Sequence, residues 1–177
     1  MLKEKILKKY EYKEKNDFKV YLEKIKDENI KFYIETRIIG QINWYDKESI
    51  YNQKIYKHLN RISIILGGSI PVLTVLIDYY WWIKVVIAGL GSVVMGISSI
   101  NTLCNYKELW NRYRINCEIL KSNLYVYFAR QGIYKELSDE QAFKQLVTIC
   151  EGKFIEEFND WSVLINSEDK LNDNHSI

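Results

Sequence analysis

The sequence predicts an all-α membrane protein: a two-span transmembrane helical hairpin with long cytosolic helical extensions that form a helical bundle. Two apolar runs, residues 62–77 and 85–106, contain no charged side chain. Residues 78–84, rich in Tyr and Trp, connect them. The chain has one proline and eight glycines, and half of those glycines lie between Gly67 and Gly91. The flanking sequence therefore lacks the turn residues that a sheet needs, which indicates helices.

The lengths of the two runs bear on whether they span a bilayer. A helix needs about 20 mostly apolar residues to cross the hydrocarbon core. The run 85–106 meets this length, whereas 62–77 is short by about one turn and needs anchors at its ends. We place the hairpin domain at residues 62–104, with the spans at about 59–78 and 83–104. The predicted membrane-interface residues are Arg61, Tyr79, Tyr80, Trp81, Trp82 and Lys84.

The alternative is a buried helical hairpin in a soluble bundle. The mean hydropathy of the whole chain, −0.25, fits a soluble protein, but the Lys-rich flanks dominate that average. A helix in a soluble core normally carries charge on its outer face at every third or fourth position. Residues 85–106 carry none, which favours the membrane.

Helical segments flank the hairpin on both sides. Residues 1–29 are predicted to form charged amphipathic helices, and 30–61 a cytosolic helix that leads into the membrane. Residues 105–165 are predicted to form C-terminal cytosolic helices, in which Ser138 and Gln141 make a capping box. The polar residues 166–177 are predicted to be a disordered tail.

The distribution of basic residues predicts the orientation. The connection between the spans offers only Lys84. The positive-inside rule therefore places both termini in the cytoplasm and the aromatic tip outside, as expected for a multi-pass protein of the cytoplasmic (inner) membrane. The basic residues that flank the two apolar runs in the sequence are Lys47, Lys54, Lys57 and Arg61 before the first, and Lys107, Arg112, Arg114 and Lys121 after the second.

Each span has one notable feature. In the first, Gly67, Gly68 and Pro71 predict a kink, because a mid-helix proline removes a backbone hydrogen bond. In the second, one face is small or hydroxylated. It either packs against the first span, with Gly67 and Gly68 as partner surface, or lines a pore formed by several copies. That face comprises Ala88, Ser92, Met95, Gly96, Ser99 and Thr102, and all but Ala88 are pore-lining candidates.

A stripe near the C-terminus predicts assembly. Its apolar residues recur at helical spacing, so one face must be buried, either within the protomer or between protomers. The assembly candidates are Phe143, Leu146, Cys150, Phe154 and Trp161.

Composition and motifs argue against several functions. The 25 basic and 23 acidic residues are nearly balanced, whereas a nucleic-acid-binding protein is usually more basic. The cysteines Cys104, Cys117 and Cys150 lack metal-ligand spacing and are expected to be free thiols. No Walker loop, nucleophile elbow or HExxH occurs. We therefore expect no enzyme, catalytic residue, metal or cofactor.

Several aromatic and charged residues resemble a family pattern. Together with the hairpin they make the chain similar to the SLATT family, two-transmembrane effectors that associate with SMODS nucleotidyltransferases and SLOG domains in bacterial conflict systems. The resemblance implies a pore-forming effector triggered by a separately encoded sensor or nucleotide-signal system. The residues that carry it are Arg37, Gln41, Trp44, Tyr45, residues 51–56, Trp110, Arg114, Glu118, Leu120, Lys121, Glu157 and Trp161.

Three functions follow as hypotheses. The first is a homo-oligomeric, cyclic, pore- or channel-forming effector in antiphage defence, because one hairpin cannot enclose water. The second is a membrane-anchored signalling adaptor or scaffold without a pore. The third, a membrane enzyme, would have only Tyr113, Arg114, Glu118 and Lys121 as polar candidates.

Overall fold

The computed structural model describes the backbone of residues 18–173 and the side chains of residues 18–159. In this part of the chain every regular element is helical, which confirms the all-α prediction. The prediction for residues 1–17 lies outside it. The elements are α1 (Lys19–Leu22), α2 (Glu28–Tyr33), a π-helical segment (Ile34–Ile39), α3 (Gly40–Thr74), α4 (Ile83–Cys104), α5 (Tyr106–Phe128), a 3-10 turn (Gly132–Tyr134) and α6 (Asp139–Asp173).

The chain divides into two compact units. The described residues of the first are Phe18 and Gly40–Glu118. Those of the second are Lys19–Ile39 and 119–173. The first unit therefore holds the whole hairpin, and the second holds α1, α2, the π-helical segment and α6.

In the first unit, α3 and α4 pack along each other as antiparallel neighbours. Helix α4 coincides with the predicted second span of 83–104. Asn105, at φ 46°, ends it in the left-handed conformation that Asn tolerates, and α5 begins at the next residue.

The first arm ends earlier than predicted. Helix α3 stops at Thr74 instead of continuing to about residue 78. The amides of Leu76, Ile77 and Tyr79 each bond to the carbonyl three residues back, so the chain tightens into successive turns. As a result, only one described helix, beginning at Ile83, is long and apolar enough to cross a membrane. Helix α3 runs unbroken through Gly67, Gly68 and Pro71, and the kink stays a prediction.

In the second unit, side chains cap two helices. The Asp27 carboxylate accepts hydrogen bonds from the amides of Asn29 and Ile30, at 2.8 and 3.3 Å, and starts α2. The Ser138 amide donates to Gln141 Oε1 at 3.1 Å while the Gln141 amide donates to Ser138 Oγ at 3.3 Å, which confirms the capping box.

Two boundaries in this unit differ from the sequence prediction. A π-helical segment, Ile34–Ile39, interrupts what the sequence predicted as one α-helix from residue 30. Helix α6 continues to Asp173, beyond residue 165, where the sequence prediction ended the C-terminal helices. The disorder of residues 166–177 stays a prediction. Residues 174–177 lie outside the described part.

Candidate functional site

The two arms of the hairpin meet along one apolar face of each helix. In α4, Ile83 is the single buried residue, and the half-buried residues other than Gly91 recur at spacings of three and four. The same spacing recurs in α3, as expected for two helices that pack side by side. These seam residues are Ile87, Leu90, Val94, Ile97 and Asn101 in α4 and Leu59, Ser63, Leu66, Ile70 and Leu73 in α3.

The small face of α4 lies away from this seam. Ala88, Ser92, Met95, Gly96, Ser99 and Thr102 are all exposed. A Cβ atom placed on Gly67, Gly68 or Gly96 would meet no atom within 4 Å, so no glycine mediates a close approach of the two arms. The interpretation that this face packs against the first span is therefore wrong. The face is open in the protomer, and pore lining stays a prediction.

The hydroxyl groups on the small face are already satisfied within α4. Ser92 Oγ donates to the Ala88 carbonyl and Ser99 Oγ to the Met95 carbonyl, each at 3.0 Å. Thr102 Oγ1 donates to the Ser98 carbonyl at 3.0 Å. Such bonds to the preceding turn let hydroxyls lie in an apolar environment. The face can therefore meet lipid, another helix or water.

Apart from the seam, the hairpin exposes apolar side chains on all sides. Only 11% of the most apolar stretch of α4 is buried, whereas the core helix of a soluble protein is mostly buried. Exposure is 82% for Leu103 and 73% for both Met95 and Ile64. An exposed apolar surface of this kind marks a membrane or protein interaction site.

Aromatic residues form the tip of the hairpin. Tyr79, Tyr80, Trp81 and Trp82 are exposed, and Lys84 is exposed beside them. The rings of Tyr80 and Trp82 lie 6.1 Å apart. Amphipathic rings grouped at one end of an apolar hairpin suit the headgroup region of a bilayer.

The opposite end of the hairpin, its base, is marked by two contacts. Asn101 Nδ2 donates to Asn60 Oδ1 at 3.3 Å, which joins α4 to α3. The Lys57 ammonium lies 5.4 Å from the centre of the Trp110 ring, which joins α3 to α5. Arg61, a predicted interface residue, is exposed at the same end. The structure thus brings the predicted interface residues to the two ends of the hairpin.

Below the base, Arg114 clamps two carboxylates. Its Nη1 lies 3.1 Å from Oδ1 of the buried Asp46, and its Nη2 lies 2.7 Å from Glu118 Oε1. The rings of Trp44 and Tyr113 pack beside this clamp, with centres 5.3 Å apart. Burial raises the pKa of Tyr113, and the negative charge of Glu48 raises it further.

This arrangement bears on the enzyme hypothesis. Tyr113 is buried, and both nitrogens at the end of the Arg114 side chain are committed to carboxylates. Lys121, in the second unit, has an interaction of its own. Within residues 18–159, no group of His, Cys, Asp and Glu could hold a metal ion. Arg114 is thus a structural partner of Asp46 and Glu118, and the absence of enzyme activity stays a prediction.

The second unit contains a polar cluster that sequence reasoning missed. The Arg37 Nε and Nη2 atoms donate to the two oxygens of Glu151, both at 2.8 Å. The Tyr33 hydroxyl donates to Glu151 Oε1 at 2.7 Å. The hydrogen bond from Arg37 holds the pKa of Glu151 below its usual range, and burial raises that of Tyr33. Arg37 also lies over the ring of Phe154, at 4.7 Å.

The predicted assembly stripe is largely inside the protomer. Leu146 and Cys150 are fully buried, and Phe143 and Phe154 are half-buried. Burial raises the pKa of the Cys150 thiol to about 12. The Trp161 side chain lies outside the described residues. Within the part of α6 whose side chains the structure describes, the exposed large apolar residues are instead Ile155 and Phe158. The helical spacing of the sequence put Phe158 on the same stripe, although not among the assembly candidates, and did not single out Ile155.

A groove of about 640 Å³ opens in the second unit and was not predicted. The Tyr21 and Phe128 rings, which border it, stack with their centres 5.0 Å apart. Arg130 lies at its edge and is paired with Asp139. The lining contains Lys24 and Lys26 as well as Asp27 and Glu140, so the groove has no dominant charge.

Comparison with known proteins identifies one matching family. The profile of a family described as a protein of unknown function, DUF4231, matches residues 40–142, more than half of the chain. The match begins at the first residue of α3 and ends in the first turn of α6. No curated protein matches, and no solved structure matches.

Proposed function

We infer that this chain, which belongs to the DUF4231 family of proteins of unknown function, is an oligomeric two-span membrane effector whose hairpins together form a pore. The observation that carries this proposal is the exposure of the hairpin. Its apolar side chains are covered only where α3 and α4 meet, and Ile83 is the one buried residue of α4.

A bilayer is the environment that best suits this surface. Water around so much exposed apolar area would be strongly unfavourable, at about 25 cal/mol for each Å². The aromatic tip and the basic base of the hairpin suit the two headgroup regions. In this proposal the first arm completes its crossing through the turns after Thr74, in which the amides of Leu76, Ile77 and Tyr79 are bonded locally. The basic residues at the base support a cytoplasmic location for both termini.

Assembly follows from the geometry of a single hairpin. Two helices enclose no lumen, so a pore needs several copies arranged in a ring. The open small face of α4 is available to line it, with Ser92 and Ser99 two turns apart on the same side. Met95 on this face would narrow the lumen and allow gating by dewetting.

The role in bacterial defence rests on the resemblance to the SLATT effectors. Several residues that carry it have structural partners here: Arg37 binds Glu151, and Arg114 binds Asp46 and Glu118. These pairs support a scaffold of cytosolic helices that this chain has in common with the SLATT effectors. The proposed role is membrane leakage in response to a signal from a separately encoded partner.

A second candidate is a membrane-anchored adaptor without a pore. It is favoured by the same small face, because residues 88, 92 and 96 repeat every four positions and leave room for the close approach of another helix. In this case copies would pack with a dry interface.

Dye release and planar-bilayer recording from reconstituted full-length protein test the proposal. Insertion is checked first, by flotation of the vesicles after an alkaline wash. Inserted, oligomeric protein that conducts ions supports the pore. Inserted oligomer without conductance, even with the natural activating partner present, supports the adaptor. Protein that the alkaline wash removes would overturn the membrane assignment.

A further inference from the structure

The base of the hairpin gathers exposed cations at one level. Asn101 bonds to Asn60, and Trp110 contacts Lys57, so these two pairs fix how α3 lies beside α4 and α5. Arg61 follows Asn60 directly. Lys107 lies between Asn101 and Trp110 in the chain. We call Lys57, Arg61 and Lys107, all exposed, the basal collar.

Within residues 18–159, no acid forms an ion pair with the basal collar. Asp78 is the one acidic residue between positions 49 and 107, and it lies at the other end of the hairpin. Glu108, the next acid along the chain, pairs with Arg112 at 3.1 Å. Among the described residues, neither Arg61 nor Lys107 forms an ion pair. Lys57 is held over an aromatic face, which leaves its positive charge uncompensated.

The position of the collar defines the kind of ligand that can reach it. Arg61 immediately precedes the uncharged run 62–77, and Lys107 immediately follows the run 85–106. In an inserted hairpin these cations lie at the depth of the lipid phosphates. The Trp110 ring beside Lys57 suits the same depth. By contrast, the tip carries one cation, Lys84, against one acid, Asp78.

We propose that the basal collar binds the headgroups of anionic phospholipids in the cytoplasmic leaflet. This inference rests on the proposed membrane insertion and goes beyond it, because insertion alone requires no preference among lipids. An anionic headgroup supplies the negative charge that neutralises these three cations. Each Lys or Arg near such a surface contributes about a fivefold gain in lipid affinity.

The test is a lipid titration of full-length protein in detergent micelles, followed by native mass spectrometry. Phosphatidylglycerol and phosphatidylcholine are added separately, and the ratio of their association constants is the preference. Arg61→Gln should lower this preference about fivefold, and removal of all three collar cations on the order of 100-fold. Arg61→Lys, which keeps the charge, should restore most of it.

Lys84→Gln is the matched control. Lys84 is also an exposed cation at the end of an apolar run, but it lies at the tip. The Lys84→Gln variant should leave the preference for phosphatidylglycerol over phosphatidylcholine unchanged. An equal loss from Lys84→Gln and Arg61→Gln, or no loss from the triple variant with unchanged helicity, would overturn the proposal. Displacement of the lipid by excess inorganic phosphate would also overturn it, since it would indicate a free-phosphate site.

The proposed membrane insertion is checked separately, with the same purified protein reconstituted into vesicles. Wild-type protein that stays in phosphatidylcholine vesicles after an alkaline wash establishes insertion without any anionic lipid. If the wild-type protein inserts but the collar variants keep its preference for phosphatidylglycerol, the proposed lipid site is wrong and the membrane hairpin is still supported. If the protein does not insert, the hairpin assignment fails first and the lipid site fails with it.

Discussion

Asn101 in α4 donates a hydrogen bond to Asn60 in α3 at 3.3 Å, and this polar contact lies at the base of a seam formed mostly by apolar residues. The Oδ1 atom of Asn101 is buried and has no partner in the described part of the chain. A polar pair at such a position specifies the register of two helices at some cost in stability. Asn60 and Asn101 therefore fix how the two arms align.

The first prediction concerns this pair. Asn60→Leu and Asn101→Leu each leave the side-chain amide of the other asparagine unpaired, while the double variant removes both side-chain amides. In a double-mutant cycle the pair should show a coupling energy of about 0.6–1.7 kcal/mol, the range for hydrogen bonds between membrane helices. Unfolding by denaturant in micelles measures it. Strictly additive effects would show that the bond does not couple the arms.

The second prediction concerns the ion pair of the second unit. Replacing Glu151 with Gln should lower the free energy of unfolding by up to about 1 kcal/mol at neutral pH, because both groups are partly exposed. The pKa of Glu151 is held below its ordinary value of 4.5, so its contribution is complete above that pH and is lost as the pH falls through the lower value. Wild type and variant should converge in acid.

The control for this prediction is Glu140→Gln. Glu140 also pairs with a cation, Lys144, but both are on the surface of α6, four residues apart. It should change stability less than Glu151→Gln does. A Glu151→Gln difference that persists below the whole range of carboxylate titration would contradict the role of the charge.

The third prediction separates the cysteines by reactivity. With a maleimide at pH 8, Cys104 should react quickly because it is exposed, while Cys117 and Cys150 are buried. The pKa of Cys150 is raised from 9.0 to about 12, so its thiol stays protonated at this pH. Peptide mass spectrometry locates the label. Labelling of Cys150 in folded protein as fast as in denatured protein would contradict its burial.

Much of the fold follows from local sequence signals. The capping box at Ser138 starts α6, and the uncharged run 85–106 contains most of α4. The packing face of α4 does not follow in the same way. A helix that is apolar all round has no polar side to reveal its orientation, so residue size suggested the wrong face. In the structure, Ile87, Leu90 and Val94 lie in the seam.

Contacts between distant parts of the chain were also beyond sequence reasoning. Arg37 and Glu151 are 114 positions apart, and no spacing rule links residues so far separated. The π-helical segment that carries Arg37 has no composition that distinguishes it from an α-helix. Arg37 itself was noticed through the family resemblance, whereas Glu151 was not.

The fourth prediction tests the small face of α4. Ser92 is exposed and away from the seam, so Ser92→Leu should leave the protomer folded. If this face lines a pore, the variant should lose leakage activity and keep its oligomeric state, whereas Val93→Leu should keep both. Vesicle leakage and size-exclusion chromatography give the two readouts. Full leakage from well-folded Ser92→Leu protein would remove this face from the pore.

A different outcome would favour the adaptor. If the small face packs against another copy, Ser92→Leu and Gly96→Leu should both weaken assembly, because each adds bulk where close approach is needed. Leakage and assembly would then fall together, while Val93→Leu would leave the oligomer intact.

The central claim is that the hairpin crosses the membrane with its tip on the side opposite the two termini. Accessibility of single cysteines in intact cells tests it most directly, in a Cys104→Ser background. Tyr80 at the tip and Glu136 after α5 are both exposed, so each tolerates replacement by Cys. A membrane-impermeant maleimide should label Tyr80→Cys in intact cells and Glu136→Cys only after permeabilisation. Labelling of Tyr80→Cys only after permeabilisation would contradict the account.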